Sequence, residues 1–251
     1  MRVLVHGRDQ DRGNQVVADI TQSGGAAEFL AADLASLAEV RRLGETVRQR
    51  TERLGILINN AGLGTAGTSR HTSVDGHELR FAVNYLAGFL LTDLLLPLLR
   101  QSAPARIVNV ASAGQQPIDF ADVMLTRGYS GVRAYCQSKL AQIMFTIDLA
   151  EALADTGVTV NALHPATSMD TAMVRRAGVM PTSSVEEGAE AILKLAVSPA
   201  VEGRSGRYFS GLWEARADRQ AYDAAARRLR RLSQELCAGY GIAATARVGP
   251  G

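Results

Sequence analysis

The chain predicts a single doubly wound α/β domain with a mostly parallel sheet, and three observations lead there. Short apolar runs alternate along the sequence with stretches of helical periodicity. Several runs, such as residues 107–111 and 158–163, are apolar at consecutive positions, as in strands covered on both faces. No internal repeat, low-complexity block or linker divides the 251 residues, a length that suits one well-packed core.

Residues 2–5 read as the first strand, running into His6-Gly7-Arg8-Asp9, and a helix follows with Val16, Val17 and Ile20 on one side. Residues 28–32 form a second strand that ends at Asp33-Leu34. Ser36-Leu37-Ala38-Glu39 has the form of a capping box, and Val40, Leu43 and Val47 carry the helix on to about residue 53. The apolar residues 55–58 end in Asn59-Asn60-Ala61-Gly62. A long helix is expected over 74–99, made irregular by Pro97, which lacks a backbone donor. Then come a strand at 107–111, a helix at 135–154 and a strand at 158–163. Ser184-Val185-Glu186-Glu187 caps a helix to 197, Tyr208-Phe209 form a last short strand, and 217–237 a terminal helix. The domain is expected to span 1–237, with a loose tail over 238–251.

Composition narrows the function. Hydrophobic and charged contents of 47% and 21% are those of an ordinary globular protein, and a net charge of +2 singles out no nucleic-acid partner. The run Arg227, Arg228, Arg230 and Arg231 is interleaved with Leu229, Leu232 and Leu236, which reads as a packed helix with a solvated basic face. Cys136 and Cys237 suggest neither a disulfide framework nor a metal site. No secretory signal opens the chain, and the apolar stretch 89–99 is too short to span a bilayer. A cytoplasmic protein, bound to neither membrane nor nucleic acid, is the expectation.

The residues that can do chemistry sit beyond strand ends, where doubly wound sheets bind ligands. Arg8, Asp33, Asn60 to Gly62, Ser112 and Thr167 each follow a strand. The chain holds two lysines against 25 arginines, and one of them closes the motif Tyr135-Cys136-Gln137-Ser138-Lys139. Residues four apart share a helix face, so phenol and ammonium point the same way. A phenol is a poor acid near neutrality, and a cation beside it would lower its pKa toward the working range.

These residues carry a resemblance. Asn59-Asn60-Ala61-Gly62, Asn84, Ser112 and Tyr135-x-x-x-Lys139 match, in order, the motifs of the short-chain dehydrogenase/reductase family. The segment Tyr135 to Ala141 and the long interval between Ser112 and Tyr135 resemble its retinol-dehydrogenase-like branch. The resemblance implies a Rossmann-like fold and hydride transfer between a nicotinamide cofactor and a carbonyl or alcohol. Tyr135 would exchange the proton, Lys139 would lower the tyrosine pKa and hold the ribose, Ser112 would fix the reacting oxygen, and Asn84 would hold a water. Asp33 and Leu34 would meet the adenine, Asn60, Ala61 and Gly62 the adenosine ribose, and Pro165 and Thr167 the nicotinamide. Arg8 stands where an acidic residue would select NAD(H), so NADP(H) is favoured. Asp9, the neighbouring acid, could cap the next helix instead. Met169, Met173, Val174, Val179 and Met180 suit a lipophilic substrate. Relatives also admit a homodimer through the two long helices.

Two departures stand out. Ala166 and Ser168 occupy positions where relatives carry a glycine and an aliphatic residue. The family's opening strand, glycine-rich turn and helix are not found, and the first strand here resembles the family's second. The expectation is that the given sequence starts late, and that the natural product carries an extension of about one strand–helix unit. Without it a central strand is missing and cofactor binding should be weak, so a catalytically impaired scaffold or binding protein is the alternative.

Overall fold

The computed structural model describes residues 2–241. Its first half begins with β1 (Arg2–Gly7), α1 (Gln10–Gln22), β2 (Ala26–Ala31) and α2 (Leu37–Arg50). Asp9 does cap α1, its carboxylate accepting from the Arg12 amide at 3.1 Å. Ser36 caps α2, but the expected box is only half made. Glu39 sends its carboxylate to the Asp33 amide instead, at 2.7 Å. The box at Ser184 and Glu187 is complete.

β3 (Ile56–Asn59), β4 (Ala105–Val110), β5 (Val158–His164) and β6 (Arg207–Ser210) lie side by side and parallel. β7 (Trp213–Ala215) pairs antiparallel with β6, a three-residue strand that no periodicity announced. Nearly every residue of β4 and β5 is buried, which is why both read as unbroken apolar runs. β1 pairs with β2 and with no strand of the larger set, so the sheet is divided into two strands and five. No residue of β1 or β3 is fully buried, and Ile58 is 39% exposed. The two parts still share apolar packing, because Leu4 and Leu30 join a cluster with Leu43, Leu57 and Leu99.

One helical run, α3, spans Leu79–Gln101. It starts later than residue 74 because the preceding turn is closed by a bridge between Thr72 and Glu78. Pro97 lies inside regular helix, and the irregularity is a π-helical turn over Ala82–Leu86. This run is apolar and long enough to cross a membrane, yet 61% of its most apolar window is buried within the protein. It is the core helix of the fold, wedged between α2 and the sheet.

α4 (Gly131–Ala152) begins four residues before Tyr135, capped by Ser130. α5 (Ala172–Arg176), α6 (Val185–Val197) and α7 (Ala225–Leu236) follow, so the expected helix over 217–237 is broken by a separate 3-10 turn at Arg219–Tyr222. α7 packs along α4, with Leu229 and Cys237 buried among Tyr85, Phe89 and Phe145. Arg230 of the basic run pairs with Asp148 on α4, and Arg228 lies 4.6 Å above the Phe120 ring. A homodimer packed on this face of α4 would have to displace α7. The first residues of the tail expected over 238–251 are ordered. Residues Ala238–Tyr240 form a 3-10 turn, and the Tyr240 hydroxyl donates to Asp75 at 2.5 Å. Residues 242–251 lie outside the described residues.

The docking of α7 turns on one buried pair. Ser233 Oγ donates to the Leu229 carbonyl at 2.8 Å, which leaves it to accept from the Tyr85 hydroxyl at 2.7 Å. Ser233→Ala strands a buried donor and should cost about 1–3 kcal/mol in urea unfolding, whereas Tyr85→Phe leaves Ser233 satisfied and should cost less. Equal losses in the two variants would contradict this direction of donation.

Candidate active site

A buried polar rung sets the register of the elements that carry the site. Asn59 at the end of β3 donates to Asn109 Oδ1 at 2.8 Å and to Thr92 Oγ1 on α3 at 3.1 Å. Asn109 on β4 donates in turn to Thr146 Oγ1 on α4 at 2.8 Å. Four elements are therefore keyed together just below the strand ends. Asn109 and Thr146 were not among the expected residues, though an asparagine inside an apolar strand is a visible signal, since a buried amide needs partners.

Beyond β3 the chain runs through exposed Asn60 and Ala61 to Gly62. A Cβ on Gly62 would stand 3.2 Å from Asn84 Oδ1 and 3.5 Å from the Lys139 amine, a space that admits no larger residue without movement. Asn84, in the π turn, grips the next residue with both ends of its amide. Its oxygen accepts from the Leu63 N–H at 2.6 Å, and its nitrogen donates to the Leu63 carbonyl at 3.1 Å and to Ser138 Oγ at 2.9 Å. One acceptor bond and two donor bonds engage both donors of this side chain. Asn84 is thus a loop anchor here.

Ser112 follows β4, 8% exposed, and its Oγ accepts from the Gly114 amide at 3.0 Å. A Cβ on Gly114 would meet Cys136 Sγ at 3.3 Å, Ser112 Oγ at 3.5 Å and the Tyr135 ring at 3.6 Å, so the Ser112 and Tyr135 side chains converge beside Gly114. Tyr135 is half-buried in the second turn of α4. Burial raises its pKa, and the Ser112 side chain opposes that rise. Lys139, one turn on and 4% exposed, donates to the Val110 carbonyl at 2.8 Å and to Gln142 Oε1 at 2.9 Å. No carboxylate pairs with it among the described residues. Burial lowers its pKa to about 7. The amine lies 5.8 Å from the centre of the Tyr135 ring. In this arrangement burial raises the phenol pKa and lowers that of the amine.

At the other end of the edge, Arg8 and Asp33 follow the adjacent strands β1 and β2. They face each other at 3.9 Å with side chains 65% and 43% exposed. Asp33 also accepts from the Ala35 amide at 3.0 Å, and Leu34 packs inward against the core. Pro165 and Thr167 line a cleft of about 320 Å³ with Ser183, Glu187 and Ser210. Ser112, Tyr135 and Lys139 do not line that cleft. Thr167 shares a hydrogen bond with His164 Nε2 at 3.1 Å, and Thr171 caps α5. Ala166 needs no positive φ, whereas Ser168 takes the left-handed conformation with φ 46°. A cluster of His, Cys, Asp and Glu suited to a metal is not found among the described residues.

The mostly parallel α/β fold is shared with solved structures of known proteins. A family model described as short chain dehydrogenase matches residues 1–180. The chain belongs to the short-chain dehydrogenase/reductase family. It is 41% identical to human retinol dehydrogenase 13 over 198 residues, covering 72% of this chain and 59% of that protein. Mouse retinol dehydrogenase 14 is 38% identical over 235 residues, covering 83% and 70%, which places the chain in the retinol-dehydrogenase-like branch. Against the first of these, the chain spans less than two thirds of the relative's length. Among solved structures, the Pseudomonas aeruginosa RhlG/NADP active-site complex is 27% identical with a TM-score of 0.64, covering 83% of this chain and 84% of that one. A short chain dehydrogenase from Burkholderia cenocepacia in complex with NADP is 25% identical with a TM-score of 0.66, covering 83% and 85%.

The buried lysine makes a pH prediction. An unfolded lysine keeps its proton to about 10.5, while the folded one yields it near 7. Between those values the unfolded state binds more protons, so stability rises with pH. Relative to Lys139→Met, the wild type should gain on the order of 1 kcal/mol per pH unit between pH 7 and 9 in urea unfolding. A difference that stays flat over that window would refute the burial of the charge.

Proposed function

We propose that this chain carries the catalytic residues of an NADP(H)-dependent oxidoreductase that interconverts a carbonyl and an alcohol. The observation that supports it is the convergence of Ser112 and Tyr135 beside Gly114, one helical turn from a buried amine. When bound, the cofactor supplies or accepts the hydride. Ser112 donates a hydrogen bond to the substrate oxygen and fixes its position. Tyr135, protonated at neutral pH because burial holds its pKa up, gives a proton to that oxygen in reduction and takes one back in oxidation. Lys139, Asn60, Ala61, Gly62, Pro165 and Thr167 would hold the nicotinamide–ribose side, and Asn84 keeps the Gly62–Leu63 loop in place for it. Arg8 and Asp33 would hold the adenosine side. Arg8 is exposed and only loosely paired, so its guanidinium is available to a 2′-phosphate, which favours NADP(H) over NAD(H).

The substrate is a lipophilic carbonyl or alcohol. Met180 and Val179, 82% and 47% exposed, sit on the segment beside the strand ends, and the relatives named above are retinol dehydrogenases. The apolar α3 is spent largely on the core, which suits a cytoplasmic protein. A second reading, a scaffold that does not turn substrate over, has one observation in its favour. β1 and β2 pair only with each other, so the sheet is discontinuous on the adenosine side.

Titration with NADPH, followed by its fluorescence, separates the two readings. The enzyme reading requires saturable binding, and linear uptake without saturation sinks it. Tyr135→Phe should then lower turnover of a carbonyl substrate by about 10²-fold or more with NADPH binding unchanged. Arg8→Ala should weaken NADPH and leave NADH as it was, and equal weakening of both would remove the basis for the cofactor preference.

A further inference from the structure

The segment 168–183 leaves β5, carries α5 and returns to α6. Its two ends are tied together, with the Thr182 amide donating to the Ser168 carbonyl and the Asp170 amide to the Ser183 carbonyl, each at 3.0 Å. Met169 fills the side-chain space left open by Gly188 on α6. Met173 on α5 reaches in the other direction. A Cβ on Gly64 would meet its Cγ at 2.5 Å and its sulfur at 3.2 Å, so the thioether occupies the room that glycine leaves.

The place of this contact matters. β3, β4 and β5 are consecutive in the sheet, so a contact between the segment after β5 and the loop after β3 bridges the end of β4. Ser112 stands at that end. The seat is also stiff. Arg80, 6% exposed, donates to the Gly64 carbonyl at 2.7 Å, to the Ala66 carbonyl, and to the Tyr129 hydroxyl at 2.5 Å. That hydroxyl donates to Glu78, itself 1% exposed, at 3.0 Å. A buried ion pair and a phenol thus hold the loop that receives Met173, and Asn84 holds the residue before it.

We propose that Met173 seated against Gly64 is the latch that keeps α5 closed over the Ser112–Tyr135 pair, and that this contact sets which substrates enter. The latch stands on packing alone. Its effect on substrates rests on the oxidoreductase reading. Gly64 does not use a positive φ, so alanine fits the backbone and acts only by pushing Met173 away.

Arg175 and Arg176 on α5 provide the readout, as trypsin sites in the full chain. Gly64→Ala should speed cleavage there about tenfold, with cleavage elsewhere unchanged, because proteolysis follows the population of the open form. Met173→Ala should do the same. The double variant should be cut no faster than Met173→Ala alone, since both changes remove one contact. Cleavage of Gly64→Ala at the wild-type rate, or rates that multiply in the double variant, would overturn the latch. If Gly64→Ala does not fold, Met173→Ala decides alone, and a wild-type rate in it overturns the proposal. With an apolar aldehyde and NADPH, either single variant should raise KM more than it changes kcat. A wild type that shows no saturable NADPH binding refutes the oxidoreductase reading, while the trypsin rates still decide the latch.

Discussion

The site is organised by an amine placed in the protein interior without a carboxylate. Lys139 rests on the last carbonyl of β4 and on Gln142, one turn along its own helix. It is 4% exposed, so charge on that nitrogen is expensive unless hydrogen-bond acceptors are supplied. This one requirement explains several neighbours. Gly62 leaves the room that the amine needs, and Asn84 fixes the loop that contains it. The phenol of Tyr135 lies just above, at the boundary between the dry interior and the strand edge.

The rung Asn59–Asn109–Thr146 explains how such a lysine can be aimed reliably. It joins β3, β4 and α4 below the site, so a shift of any one element would break a buried hydrogen bond. The sheet is therefore best specified where the chemistry sits, on β3 to β5. It is least continuous on the adenosine side, where β1 and β2 pair only with each other. Arg8 and Asp33 keep their positions at the ends of neighbouring parallel strands even so.

Much of this was legible in the sequence, because the signals were local. The spacing of Tyr135 and Lys139, the turn Asn60 to Gly62 and the apolar runs of β4 and β5 each lie within a few consecutive residues. What could not be read depends on partners far away in the chain. The π turn that presents Asn84 follows from its grip on Leu63, 21 residues distant. Arg80 and Tyr129 meet across 49 residues, and Tyr85 and Ser233 across 148. Glu39 left its expected capping box because a better-placed donor, the Asp33 amide, lay close by. The effect of burial on the tyrosine pKa was hidden for a related reason. Spacing shows that a cation is near, but only packing shows how much water both groups have lost.

The chain contains two lysines, Lys139 and Lys194, which makes the claim at the centre of this account directly measurable. Lysine labelled with ¹³C at the ε carbon gives two NMR signals, assigned by replacing Lys194 with arginine, and each can be followed against pH. A Lys139 signal that titrates near pH 7 is the predicted result. Titration at the ordinary value near 10.5 would show a solvated amine and contradict the buried arrangement on which the rest is built.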